Sequence, residues 1–214
     1  MRSGNHTRWP LRVRTTHNGT VQGRVRVSVP LLIESAFLSP HECDRLRRAM
    51  DRGTDEPAEI VGEGIARQET IRRTRSIEID SALREWFERR LDTIKPAVER
   101  ALNQRLGQRE GCGFLRYPPG GFYRAHRDRA DVAGWPAASR RAASIVVFLN
   151  GSNAAAGPGS FAGGALCLHH ARGDRTDIRP APGLLVAFPS DLLHEVLPVQ
   201  EGERDTVVDW FYDA

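Results

Sequence analysis

The sequence contains little cysteine, with only Cys43, Cys112 and Cys167 among 214 residues. No two of them form a CxxC pair, which argues against a structural zinc site of their own, and an odd number argues against a disulfide framework. So few unpaired thiols are typical of a reducing compartment. We therefore expect a cytoplasmic protein whose cysteines are small buried side chains.

A long hydrophobic run is also missing. The most apolar stretch near the start is Val29–Ile33, whereas a membrane-spanning helix needs about 20 apolar residues and a signal-peptide core about 7 to 15. The sequence therefore predicts no membrane segment and no membrane partner. With 40% apolar and 27% charged residues, the chain has the length and composition of one well-buried domain.

No acidic residue precedes Glu34, and this first part of the chain contains six arginines. The whole chain has a net charge of +4. A basic arm can bind nucleic acid or an acidic partner. However, Trp9 is the one aromatic residue near the start, and Lys95 is the one lysine of the chain, so the excess of arginine also fits genomic composition. We interpret residues 1–23 as a solvated basic arm, with nucleic-acid binding as the less favoured alternative.

Two helices are predicted in the first half of the chain. Ser39–Glu42 is a capping box with proline at the first helical position, and it begins a short helix. A longer helix opens at Asp80 or Ser81, because apolar residues follow every three or four positions. Pro96 should kink or split this helix, and Gly107 is its predicted end.

The second half has the pattern of an all-β structure. Short β-branched and aromatic runs are separated by Gly and Pro, and Ser152–Ser160 is a Gly/Ala-rich loop. We predict a mainly β fold with flanking helices (α+β), in which the helices brace one face of a sandwich or barrel. The predicted strands are Arg24–Val29, Ile71–Ile79, Gly113–Tyr117, Ser144–Leu149, Ala165–Leu168, Leu184–Phe188 and Thr206–Tyr212.

One histidine of the seven lies two residues from a carboxylate in a strand-like run, in His126-Arg127-Asp128. Alternate strand residues share a face, so His126 and Asp128 could bind one metal, although a surface pair is the simpler interpretation of this triplet alone. His194 begins a later strand and offers a second imidazole. Two histidines and one carboxylate form the facial triad that holds non-heme Fe(II).

Arg204 is a candidate cation beside that metal. If residues 196–202 form a hairpin centred on Val199, then Arg204 pairs with His194 on the neighbouring strand. A dicarboxylate could then bind the metal at one end and the guanidinium at the other.

Several segments, in order and in spacing, resemble the prolyl 4-hydroxylase-like Fe(II)/2-oxoglutarate-dependent dioxygenases. The similarity covers about residues 114–211, and the segments that carry it are Tyr117–Asp128, Phe161–Leu166, Pro182–Pro189, His194–Val199 and Gly202–Arg204, together with Trp210.

This resemblance implies a double-stranded β-helix, or jelly roll, at about 113–212 within a single domain 24–214. It implies that His126, Asp128 and His194 bind Fe(II), with no catalytic residue beyond the metal centre, and that Arg204 and Tyr117 bind the cosubstrate 2-oxoglutarate. The enzyme would use O2, with ascorbate as a stimulant, and would hydroxylate an unactivated C–H bond while 2-oxoglutarate becomes succinate and CO2. Tyr123 and Trp210 are candidates for the substrate pocket, although Tyr123 equally suits packing in the core.

Two positions narrow the chemistry further. Trp210 stands where related nucleic-acid demethylases have a second arginine, which disfavours a nucleic-acid partner, and Asp128 is the ligand that halogenating relatives lack. The expected substrate is a prolyl or similar residue of a peptide or protein. The alternatives are a free amino acid or natural product, or a non-enzymatic jelly-roll module that binds metal or ligand.

Two further pairs of residues are assigned to the surface. His169 and His170 follow a predicted strand and are interpreted as an exposed edge pair, with an approach to the site as the alternative. Arg140 and Arg141 precede a predicted strand and are interpreted as a solvated charge pair, with binding of a substrate carboxylate as the alternative.

Overall fold

A computed structural model describes residues 29–58, 60–62, 64–66, 70–131, 135–153, 156–157 and 159–214. The basic arm and most of the strand predicted at 24–29 therefore lie outside the described residues. The helices are α1 (Pro40–Met50), α2 (Ser81–Asp92), α3 (Lys95–Leu102) and α4 (Pro136–Ser139). The strands are β1 (Leu32–Glu34), β2 (Thr54–Pro57), β3 (Ile60–Gly62), β4 (Gly64–Ala66), β5 (Arg72–Arg73), β6 (Arg75–Glu78), β7 (Leu106–Arg109), β8 (Gly113–Tyr117), β9 (Phe122–His126), β10 (Arg141–Phe148), β11 (Ser152–Asn153), β12 (Phe161–Gly163), β13 (Leu166–His169), β14 (Arg175–Ile178), β15 (Leu185–Pro189), β16 (His194–Val196), β17 (Val199–Glu201) and β18 (Arg204–Asp213).

The first predicted helix is confirmed as α1. The Ser39 hydroxyl accepts a hydrogen bond from the Glu42 backbone N–H at 3.3 Å, and the Glu42 carboxylate accepts one from the Ser39 backbone N–H at 2.7 Å. This capping box satisfies two N–H groups that the first turn would otherwise leave without a partner.

The second predicted helix is split, as Pro96 suggested. α2 begins after Asp80, whose side chain accepts a hydrogen bond from the Leu83 backbone N–H, and Pro96 lies in the first turn of α3. The predicted end at Gly107 is wrong. α3 already ends at Leu102, where Asn103 caps it with a left-handed backbone (φ 50°), and Gly107 belongs to strand β7. Asparagine tolerates this conformation because its short polar side chain can bond locally.

Two sheets organise the chain. The larger, eight-stranded sheet has the order β1-β15-β10-β18-β8-β6-β2, with β7 also paired to β18, and the second is a five-stranded sheet with the order β14-β13-β16-β9-β5. Smaller sheets are formed by β11-β12-β17 and by β3-β4. The predicted strand Ile71–Ile79 is divided between the two main sheets, as β5 and β6. This mainly β structure, with few helices, confirms the predicted fold class.

Strand β10 explains how the layers stack, because all eight of its residues are buried. Ile145 and Val147 pack in the cluster that contains the core residues of α1, α2 and α3, whereas Val146 and Phe148 pack with Leu168 of the five-stranded sheet. One face of the eight-stranded sheet is therefore covered by helices and the other by the second sheet, as predicted. Within the described ranges, every helix is too short or too polar to span a bilayer.

Candidate metal centre and its pocket

Three potential metal ligands converge between the two sheets. His126 is the last residue of β9, His194 is the first of β16, and the two are direct neighbours across the antiparallel pair. Asp128 lies just beyond β9, with its carboxylate oxygens 3.5 Å from His126 Nε2 and 3.4 Å from His194 Nε2. One ligand atom from each residue lies within 4.8 Å of the others.

Backbone carbonyls fix which nitrogen of each imidazole faces this point. His126 Nδ1 lies 2.8 Å from the Arg124 carbonyl, and His194 Nδ1 lies 2.8 Å from the Leu192 carbonyl. Since a carbonyl oxygen can only accept, each Nδ1 carries a proton and donates it. In the neutral rings both Nε2 atoms are therefore acceptors that face a carboxylate. Such outward Nδ1–H bonds are the usual orientation of histidines that bind a metal through Nε2.

The charge state of the cluster also suits a metal. Burial lowers the pKa of His194 to about 4, although Asp128 opposes this shift. Burial would raise the pKa of Asp128, but His194, His126 and a hydrogen bond from Ser144 together hold it well below its usual range. At neutral pH His194 is therefore a neutral imidazole beside the ionised Asp128 carboxylate. This donor set, two imidazole nitrogens and one carboxylate, fits Fe(II).

Arg204 lies in the same cavity, but it is not paired with His194 as the sequence suggested. It pairs with Tyr117 of β8, whereas His194 pairs with His126 and with Leu168 of β13. The hairpin prediction was wrong because the chain between them forms β17, which joins β12, and then crosses to the other main sheet. The site is therefore assembled from both main sheets.

The Arg204 side chain is buried without an ion pair within the described part of the chain. It is 2% exposed, its Nε has no hydrogen-bond partner, and its guanidinium carbon lies 4.7 Å from the ring of Tyr117 and 5.0 Å from that of Phe148. Nη1 has a long contact of 3.4 Å with Thr206 Oγ1. A buried cation with a free donor is costly unless an anion joins it, so this position fits a carboxylate.

Gly164 is needed for this placement. Its φ is +62°, and a Cβ there would lie 3.1 Å from Arg204 Cδ and 2.9 Å from the Phe161 ring. A larger residue would therefore press on the arginine stem and would also be strained in its backbone. This gives the Phe161–Leu166 motif a physical role in the pocket.

The cavity has a volume of about 490 Å³ and is lined by the three potential ligands, Arg204 and Tyr117. Tyr123 and Trp210 line it as well. The Tyr123 ring stacks on His126 with a centroid distance of 3.5 Å and an interplanar angle of 18°. Tyr123 thus both packs and borders the cavity, so the two alternatives for this residue coincide.

The interpretation of Arg141 as a solvated charge was wrong. Arg141 is 8% exposed, donates to both carboxylate oxygens of Glu110 at 2.5 and 2.6 Å, and stacks on Trp210 at 3.8 Å. This paired wall of the cavity was missed because Glu110 lies 31 positions earlier in the chain. Only knowledge of the pairing of β18 with its neighbours would have brought the two together. Arg140 lies over the Tyr212 ring.

His169 and His170 take no part in the cavity lining within the described residues. His169 Nε2 lies 3.0 Å from the Glu195 carboxylate, and His170 Nε2 lies 2.7 Å from the Thr176 hydroxyl. Both histidines are half-buried, and they lie at the end of β13, which is flanked by β14 and β16. The prediction of an exposed edge pair was therefore also wrong.

Comparison with known proteins agrees with this geometry. Residues 112–212 match the family model of the 2OG-Fe(II) oxygenase superfamily. A PKHD-type hydroxylase of Sphingopyxis alaskensis is 37% identical over 93 residues, which cover 42% of this chain and 38% of that protein. One from Maricaulis maris is 32% identical over 130 residues, 56% of this chain and 54% of that protein. The chain thus spans roughly two fifths to a little over half of these relatives.

Solved structures resemble more of the chain. A crystal structure of a Pseudomonas putida prolyl-4-hydroxylase is 29% identical, with a TM-score of 0.67 over 87% of this chain and 94% of that one. A prolyl hydroxylase from Trichoplax adhaerens, in complex with a hypoxia inducible factor peptide fragment, has a TM-score of 0.71 at 20% identity, over 87% of this chain and 84% of that one. The second likeness concerns the fold.

Proposed function

We propose that this chain, a prolyl hydroxylase-like member of the 2OG-Fe(II) oxygenases, hydroxylates an unactivated C–H bond of a prolyl or similar residue in a peptide or protein. The reaction is coupled to the conversion of 2-oxoglutarate and O2 to succinate and CO2. One observation carries the proposal: a buried arginine that has no anionic partner among the described residues shares a cavity with a two-histidine, one-carboxylate cluster.

Fe(II) is held by His126, Asp128 and His194 in this proposal. The bound metal supplies the oxidising chemistry that no protein side chain can provide. The chain's contribution is to direct both Nε2 atoms toward the metal position through the Nδ1–H bonds to the Arg124 and Leu192 carbonyls, and to keep Asp128 ionised. Three protein ligands leave coordination positions open for other groups.

2-Oxoglutarate is oriented by Arg204 and Tyr117. The guanidinium matches the planar geometry of a carboxylate and stays charged at any working pH. Its burial between Tyr117 and Phe148 excludes water from the contact, which strengthens the attraction. A passive metal-binding or ligand-binding module would have no need for this cation, so Arg204 favours the enzyme over that alternative.

A peptide segment is the substrate that the cavity wall supports best. Trp135, Trp210 and Tyr123 contribute aromatic surface, and the wall charges of Arg141 and Glu110 satisfy each other. A neutral, partly apolar residue such as proline would be accommodated without leaving an unpaired charge. The peptide bound to the Trichoplax neighbour adds support for this class of substrate.

The test is a screen for substrate-stimulated succinate formation with Fe(II) and 2-oxoglutarate, over proline-containing peptides and free amino acids. We expect a peptide to stimulate succinate release and to gain the mass of one oxygen atom. Asp128→Ala should abolish both signals. His169→Ala is the matched control, because His169 is a half-buried histidine paired with a carboxylate outside the cavity.

Stimulation by a free amino acid alone would transfer the same chemistry to a small-molecule substrate. If the protein binds Fe(II) and 2-oxoglutarate but forms no succinate with any compound or alone, the chain is a binding module and the proposed reaction is wrong.

A further inference from the structure

Two buried hydroxyl groups lie directly behind the Asp128 carboxylate. Ser144 Oγ is 2.6 Å from Asp128 Oδ2, and Ser190 Oγ is 2.9 Å from Ser144 Oγ. Both serines are 1% exposed. Ser144 is the one hydroxyl residue of β10, a strand that is otherwise apolar apart from Arg141 at its start. A polar group in such a strand requires a partner, and here the partner is a potential metal ligand.

The proton positions in this chain of contacts follow from elementary bonding. A carboxylate that binds a metal is deprotonated and can only accept, so the single hydroxyl proton of Ser144 is donated to Asp128 Oδ2. Ser144 Oγ is then an acceptor toward Ser190, whose own hydroxyl proton completes the link. The hydrogen bonds are therefore donated from Ser190 to Ser144 and from Ser144 to Asp128, and we refer to these two bonds as the relay. A donor bond to a carboxylate is charge-assisted and stronger than a bond between neutral groups.

Backbone hydrogen bonds hold the far end of this relay in place. The Ser190 N–H donates to the Ala142 carbonyl at 3.0 Å, and the Ser190 carbonyl accepts from the Arg129 N–H at 2.8 Å. Ser190 thus connects β10, the end of β15 and the turn that carries Asp128. Ser144 and Ser190 are therefore each held through the backbone as well as through their hydroxyl groups.

We propose that Ser144 is a positioning residue that fixes the plane of the Asp128 carboxylate between the two histidines, and that Ser190 supports it as a second link. The inference rests on the proposed function only in taking Asp128 as a metal ligand. Ser144 holds one carboxylate oxygen and thereby limits rotation of the group about its χ2 torsion. Groups that orient a metal ligand in this way commonly change metal affinity by about 10- to 100-fold when they are removed.

Titration of the metal-free protein with Co(II), followed by calorimetry and by visible absorption, tests this role without catalysis. We expect Ser144→Ala to weaken Co(II) binding about 10-fold or more and to alter the absorption bands of the bound ion. Ser144→Thr, which keeps the hydroxyl, should restore affinity. Ser190→Ala should have a smaller effect, and the double variant should resemble Ser144→Ala, because Ser190 acts through Ser144.

Thr74→Val is the matched control, since it removes a buried hydroxyl that donates to the Arg116 carbonyl at 2.9 Å, outside the cavity lining. It should leave Co(II) binding unchanged. Thermal unfolding of each metal-free variant establishes that it folds. If Ser144→Ala does not fold, Ser144→Cys replaces the strong donor by a weak one at similar volume and should weaken Co(II) binding in the same direction.

The proposal would be overturned if folded Ser144→Ala, or Ser144→Cys, bound Co(II) within twofold of the wild-type affinity and gave an unchanged absorption spectrum. Additive losses in the double variant would overturn the relay through Ser190. If the wild-type protein itself does not bind Co(II), the metal site of the proposed function is wrong, and that result is distinct from both.

Discussion

Replacement of Arg204 by methionine should change stability and cosubstrate binding in opposite directions. Arg204 is a buried cation with no ion pair among the described residues, and its burial lowers its pKa. Removing an uncompensated buried charge relieves a cost of several kcal/mol. The lost contacts with Tyr117 and Phe148 offset about 0.5 to 2 kcal/mol each. We expect Arg204→Met to be more stable than wild type by about 1 to 2 kcal/mol in the absence of 2-oxoglutarate.

The same change should weaken 2-oxoglutarate binding by about 2 to 5 kcal/mol, because a partly desolvated carboxylate loses a charge-assisted partner. This loss corresponds to a rise in Kd of about 30-fold to several thousand-fold. In thermal unfolding with Mn(II), wild type should be stabilised as 2-oxoglutarate is added, whereas the variant should respond only at far higher concentration. The higher intrinsic Tm of the variant should amount to about 2 to 4 °C for each kcal/mol.

Arg116→Met is the matched control on the neighbouring strand. Arg116 donates to Asp205 at 2.7 Å, and Asp205 is fully buried, so this change leaves part of a buried carboxylate without its partner. Since Arg47 still contacts Asp205 at 2.9 Å, we expect a destabilisation of about 3 kcal/mol with 2-oxoglutarate binding retained. The reasoning fails if Arg204→Met keeps wild-type affinity for 2-oxoglutarate, or if Arg116→Met is the variant that loses it.

Three further outcomes are expected. Alanine at His126, Asp128 or His194 should abolish Fe(II)-dependent turnover in a folded protein, as circular dichroism and succinate release can establish; turnover retained in His194→Ala would contradict the metal assignment. Burial lowers the pKa of His194 to about 4, so between about pH 6.5 and 4 the unfolded chain binds a proton that the folded chain does not. The metal-free protein should therefore lose up to about 3 kcal/mol of stability as the pH falls over that range. Urea unfolding at successive pH values measures this slope, which should be reduced in His194→Gln. Deletion of Met1–Arg14 should preserve substrate-independent decarboxylation of 2-oxoglutarate, since the proposed site residues lie beyond Gly113; loss of decarboxylation in a folded truncated protein would mean that the arm helps to form the site.

The parts of the fold that the sequence predicts well depend on neighbouring residues. The capping box at Ser39, the split near Pro96 and the strand Gly113–Tyr117 are each determined within a few positions, and the structure confirms them. The predicted helix end at Gly107 was wrong although the true end is also marked locally. The marker is Asn103, and asparagine ends a helix less often than glycine does.

The arrangement of the site required information from distant parts of the chain. His126 and Asp128 are close in sequence, so strand alternation suffices to bring them together. Arg204 does line the cavity that holds the potential ligands, but the hairpin prediction put it on the wrong strand pair, because no local pattern reveals that the chain joins β12 through β17 before it crosses to the other main sheet. Arg141 was misinterpreted because its partner, Glu110, comes from the far side of β18.

The division of the cavity between two sheets has a consequence for which cosubstrates it accepts. His126 and His194 belong to the five-stranded sheet, and Arg204 belongs to the eight-stranded sheet. Among the described residues no strand pairing joins the two sheets here, so the distance between the histidines and the guanidinium depends on packing between the sheets, to which Leu115 and Val196 contribute. In the proposed function, this distance decides which length of dicarboxylate reaches both the metal and the guanidinium. We therefore expect a change of side-chain volume at Leu115 or Val196 to shift the preference between four-carbon and five-carbon dicarboxylates.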